Sequence, residues 1–93
     1  MKKFMPKNNS VPYSKQQKLH YIMTLYDVLD EKHKSIIDKC IYDTCREYAQ
    51  AMKAYLTTSA TAEYVATRYY LSKSVITRQE HKVIWELDKR LNF

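Results

Sequence analysis

The 93-residue chain contains no glycine. Its absence excludes glycine-rich phosphate loops and dinucleotide fingerprints, which need backbone without a Cβ to let phosphate approach. It also disfavours tight hairpins and points to helices joined by short polar turns. There are two prolines, and both fall between Met1 and Tyr13. Long apolar runs are missing as well. No segment approaches the roughly 20 apolar residues of a membrane span, and Met1 to Ser10 lacks the apolar core of a secretory signal. With two cysteines and no export signal, the expected setting is a reducing cytoplasm, with no membrane partner.

Acidic residues are the next scarcity. From Met1 to Lys18 there are five lysines and no acids; Leu19 to Thr57 carries five bases and six acids, and Thr58 onward six bases and four acids. The net charge of +6 therefore sits at the two ends of the chain. Such an excess favours polyanions through counterion release and steering. Ninety-three residues suffice for one modest core, not for separate catalytic and binding lobes.

The most structured pattern is Thr61 to His81, TAEYVATRYYLSKSVITRQEH, which reads as a helix-turn-helix. Val65, Ala66 and Tyr69, then Leu71, then Val75 and Ile76 fall where two short helices crossing steeply must touch. Ala66 is small at the point of closest approach. Thr61 and Ser72 stand at N-cap positions. Lys73, Ser74, Thr77, Arg78 and His81 are left as the outward face of the second helix, the face a helix-turn-helix lays into the DNA major groove.

Residues 53–78, about a quarter of the chain, resemble the SpoIIID-like helix-turn-helix transcriptional regulators of bacteria and phages. The likeness rests on a lysine and an apolar pair ahead of Thr58, then Thr61, Val65-Ala66, Tyr69, Leu71-Ser72-Lys73-Ser74 and Val75-Ile76. It implies occupancy of promoters to switch genes on or off. The chain departs from the pattern in two ways: Tyr70 stands where such motifs place glycine at the turn, and Gln79 and Glu80 where an apolar residue should anchor the second helix.

Elsewhere the expected fold is all-α, a small bundle of about four helices ending in the helix-turn-helix. Residues 1–13 read as a flexible basic tail and 14–93 as one helical domain, its helix-turn-helix spanning about 61–91. Ser14, with Gln17 in the capping-box arrangement, opens a helix to about Leu29 whose stripe is Leu19, Ile22, Met23, Tyr26 and Leu29, widened by Leu25 and Val28. Asp30 caps a second helix from Glu31 to Leu56, striped by Ile37, Ile41, Cys45, Tyr48 and Met52 and roughly 35 to 40 Å long. At that length it projects or carries an oligomer contact. Its charged residues read as a solvated face. The last helix runs from Lys73 to about Leu91.

Cys40 and Cys45, five apart on one helix, read as buried free thiols rather than a disulfide or a zinc pair. His20 and His33 read as surface or half-buried residues without a metal partner. The nine tyrosines, Tyr26, Tyr48 and Tyr64 among them, are expected mostly in the core or at interfaces, with Trp85 as an anchor in the core or across a dimer. Carboxylate pairs such as Asp27 with Asp30, or Asp43 with Glu47, have no nucleophile beside them, so no enzyme and no cofactor is expected.

The functional expectation is a sequence-specific binder of double-stranded DNA. Lys73, Ser74, Thr77 and Arg78 meet base edges and His81 lies on the same face. Thr61, Ser72 and Lys82 fix the register on phosphates, joined by Lys2, Lys3 and Lys7. One small motif binds too weakly to be selective, so a homodimer on a palindrome is expected. The rival expectation is a helical protein-binding module, such as a phage-encoded inhibitor of a host nucleic-acid enzyme, with the helix-turn-helix retained as a scaffold for a partner in the transcription or nucleic-acid machinery.

Overall fold

A computed structural model describes residues 11–91 as an all-α bundle. The elements are α1 (Tyr13–Thr24), α2 (Glu31–Cys45), α3 (Ala49–Leu56), α4 (Ala62–Tyr69) and α5 (Lys73–Leu91), with 3-10 turns at Tyr26–Val28 and Arg46–Tyr48. Every helix sends residues into one core: Leu19 and Met23 from α1, Ile37 and Ile41 from α2, Met52 and Leu56 from α3, Val65 from α4, and Ile76, Val83 and Leu87 from α5. The basic tail proposed for residues 1–13, with Lys2, Lys3 and Lys7, lies largely outside the described residues. Val11 is buried against the core, and its carbonyl accepts from Gln16 Nε2 at 3.1 Å.

Two helix boundaries differ from the sequence-based expectation. Helix α1 starts after Pro12, so Ser14 lies inside it instead of capping it. It also stops at Thr24, whose hydroxyl donates to the Tyr21 carbonyl at 2.6 Å, and the chain continues as a 3-10 turn. Val28 consequently points outward, 78% exposed, and does not widen the stripe. The turn instead delivers Tyr26 to α2 and α3. Its hydroxyl donates to the Asp38 carboxylate at 2.8 Å and accepts from Lys53 Nζ at 3.2 Å, while Lys53 pairs with Asp38 at 3.0 Å.

The expected single helix from Glu31 to Leu56 is broken. Arg46 takes φ 52°, ψ −110°, and a 3-10 turn follows before α3 begins. A straight rod of that length exceeds the longest dimension of the molecule, 32 Å. The bend brings α3 back against α2 and α5. Strained backbone at one residue costs about 1–3 kcal/mol, whereas complete burial of Met52 and Leu56 contributes roughly 1.5–3 kcal/mol each. The burial of α3 thus outweighs the strain, and among the described residues the Glu31–Leu56 segment does not project.

Asp30 does occupy the N-cap position of α2, yet its carboxylate makes no cap bond and turns to His33 Nδ1. That hydrogen bond holds the Asp30 carboxyl below the usual range. Both cysteines are buried and unpaired, as the spacing indicated. Burial pushes the Cys40 thiol up to about 11 and the Cys45 thiol up to about 12. The charges of α2 are not simply a solvated face: Asp43 pairs with Arg90 at 3.1 Å and Asp38 with Lys53, tying α2 to α5 and α3.

Candidate nucleic-acid interface

The interface is built on α3, α4 and α5, which contact one another pairwise. Thr57 and Thr58 end α3 by turning their hydroxyls onto its last carbonyls, Thr57 to Lys53 at 2.6 Å and Thr58 to Ala54 at 2.5 Å. Thr61 then caps α4, its Oγ1 accepting from the Tyr64 amide at 3.0 Å. Val65 is fully buried, and Ala66 packs against the core as a small residue at the crossing requires.

Helix α4 ends as a helix ends at a left-handed residue, although that residue is a tyrosine. Tyr70 sits at φ 58°, ψ 45°, and the Leu71 amide donates back to the Ala66 carbonyl at 2.8 Å. This six-to-one bond with Leu71 packed inward is the Schellman arrangement. The Tyr70 ring is 94% exposed, so it gains almost nothing from burial to offset its backbone cost. We expect Tyr70→Gly to stabilise the fold by about 1 kcal/mol in urea unfolding. A destabilised variant would show that the ring makes contacts absent from this conformation.

Ser72 starts α5, its Oγ accepting from the Val75 amide at 3.3 Å and lying 3.0 Å from Ser74 Oγ. The buried side of α5 is Ile76, Gln79, Val83, Ile84 and Leu87. Gln79 thus occupies the anchoring position that an apolar residue would fill. On the opposite side Ser72, Lys73, Ser74, Thr77, Arg78 and Lys82 are all exposed. Among the described residues, no carboxylate lies within ion-pair distance of Lys73, Arg78 or Lys82.

Two of the three acids of α5 are drawn to α1, and the third pairs within α5. Glu80 pairs with His20 Nδ1 at 3.0 Å and lies 3.5 Å from the Tyr55 hydroxyl, Asp88 pairs with Lys15 at 2.8 Å, and Glu86 holds Arg90 at 3.1 Å. The hydrogen bond to Glu80 raises the His20 pKa against the opposing effect of burial. This sorting leaves the N-terminal half of α5 cationic on its outer face, with Glu80 turned into the groove between α1, α3 and α5 that Tyr13 and Tyr21 flank.

Two expected placements change. His81 is half-buried, and desolvation lowers its pKa, so at neutral pH it presents an uncharged imidazole at the margin of the face. Trp85 is no core anchor: it is 46% exposed, with Lys89 Nζ 4.4 Å from the ring centroid. Tyr64, expected in a stripe, is also exposed, whereas Tyr26 and Tyr48 are half-buried against the core. Arg68, exposed at the end of α4, adds a cation that the sequence reading passed over; its position on the helix, three residues after buried Val65 but before the inward Tyr69, gave little signal.

Among the described residues no group of three His, Cys, Asp or Glu side chains could hold a metal ion, and no helix is long and apolar enough to cross a membrane. Comparison of the chain with family models, with curated proteins and with solved structures finds no match.

Proposed function

We propose that this protein is a sequence-specific binder of double-stranded DNA, a transcriptional regulator of bacterial or phage origin that acts without catalysis. It reads the major groove with the helix that starts at Lys73. The observation that carries this reading is the sorting of charge on α5: Lys73, Arg78 and Lys82 stand exposed and unpaired among the described residues, while Glu80 and Asp88 are engaged by α1 and Glu86 by Lys89 and Arg90 at the far end of α5 itself. Exposed Ser74 and Thr77 lie between these cations and supply short polar groups for base edges. Exposed Thr61 and Ser72 mark two helix starts, where backbone amides meet phosphate. A homodimer places two such helices in successive major grooves, with half-sites roughly 34 Å apart. Buried, unpaired Cys40 and Cys45 suit the reducing cytoplasm in which this DNA would be met.

The test is binding to a random-sequence duplex between about 50 and 200 mM salt. Four to six phosphate contacts predict that log affinity falls against log salt with a slope of about −4 to −5. Little affinity at the lower salt would discard the DNA reading and leave the protein-binding module as the better description.

A further inference from the structure

We propose that the nucleic-acid face runs the length of α5, and that Trp85 and Lys89 form its far end by gripping the phosphodiester backbone beside the groove that Arg78 enters. This rests on the DNA-binding reading above and extends it to residues outside the helix-turn-helix.

The geometry comes from the helix itself. Residues 74, 78, 82, 85 and 89 follow one another at steps of four, four, three and four, so Ser74, Arg78, Lys82, Trp85 and Lys89 form one row along α5. That row lies opposite the buried row of Ile76, Gln79, Val83 and Leu87. At 1.5 Å per residue the 19-residue helix is roughly 28 Å long, and Trp85 lies about 10 Å beyond Arg78. A helix seated by its N-terminal half must leave the groove over that distance. Its C-terminal part then passes the sugar-phosphate strand, as long recognition helices do.

The chemistry at that end suits phosphate. Tryptophan is usually well buried, and an exposed one presents an apolar body with a single N–H donor. Trp85 makes no hydrogen bond among the described residues, and the ammonium of Lys89 over its ring keeps positive charge beside it. Lys82 lies one turn before. Glu86 and Asp88 are the nearby carboxylates; Arg90 and Lys89 hold the first, at 3.1 and 3.5 Å, and Lys15 holds the second. A two-fold contact between copies of this row would set Lys82 and Lys89 of one copy against cations of the other, which like-charge repulsion opposes. A polyanion meets no such cost.

Trp85 is the one tryptophan of the chain, so its emission reports on this end alone. The full-length protein is titrated with random-sequence duplex at low salt while acrylamide quenching is followed. Bound duplex should shield the indole and cut quenching. Trp85→Ala should weaken random and selected duplexes alike by roughly tenfold, the loss of one hydrogen bond to a charged group. Trp85→Phe should lose nearly as much, because the ring stays and the donor goes. Lys89→Gln should take about one unit from the salt slope. Helical circular dichroism checks that each variant folds.

Duplex binding with the indole as open to acrylamide as in the free protein would overturn this inference and leave the DNA reading intact. Absence of any duplex binding would remove both. Shielding that grows with protein concentration in the absence of DNA would identify a self-contact and overturn the inference as well.

Discussion

Replacing Gln79 by leucine is expected to raise the stability of the fold by roughly 1–3 kcal/mol, the penalty commonly carried by a buried polar group left without a partner. Gln79 is 5% exposed, and its Oε1 has no hydrogen-bond partner among the described residues. It lies on the buried row between Ile76 and Val83, both fully buried. Leucine is of similar size, adds apolar contact with those neighbours and removes the unsatisfied amide. Each kcal/mol should raise the melting temperature by roughly 4–8 °C for a domain of this size. Because the side chain faces inward, affinity for duplex should be unchanged. A fall in stability would mean that the Gln79 amide is satisfied, by water for instance, and that leucine strands that partner.

The two departures from the helix-turn-helix pattern were visible in the sequence, but their resolution was not. Tyr70 does adopt the left-handed conformation that a glycine would take more easily, and the motif closes around it because Leu71 and Ala66 complete the turn. Gln79 is buried because its neighbours three before and four after are Ile76 and Val83. Position along the helix settled its environment more strongly than its polarity did. Thr61 and Ser72 could be read as caps since capping is a local matter of one side chain and the next three amides.

What stayed hidden depends on distant parts of the chain. The break at Arg46 has no glycine or proline to announce it; it exists because α3 finds more to bury by folding back than by continuing. The pairs Asp38 with Lys53, Asp43 with Arg90 and Lys15 with Asp88 join residues far apart in sequence, so no local pattern announces them, and Asp38 and Asp43 look merely solvated. Trp85 reads as an anchor in the core or across a dimer because of the apolar stripe beside it. Its place on the wheel, opposite Val83 and Leu87, was the better guide.

Arg78→Ala is expected to cost about 1–3 kcal/mol in affinity for the preferred duplex and to relax discrimination at one base position. The side chain is exposed one turn beyond Ser74, and with no carboxylate partner among the described residues its guanidinium is available for a bidentate bond to guanine O6 and N7. Arg78→Lys keeps the charge without the planar fork, and so should restore binding to random duplex more fully than to the preferred one. Lys82→Ala should instead weaken all sequences alike and reduce the salt slope by about one. Neither change should move the urea midpoint appreciably, since surface substitutions away from structural features usually stay within about 0.5 kcal/mol. Competition between preferred and random duplexes separates the outcomes. If Arg78→Ala lowers both affinities by the same factor, Arg78 touches phosphate and base discrimination must come from Ser74 and Thr77. If neither affinity falls, the outward face of α5 is not the surface that meets DNA.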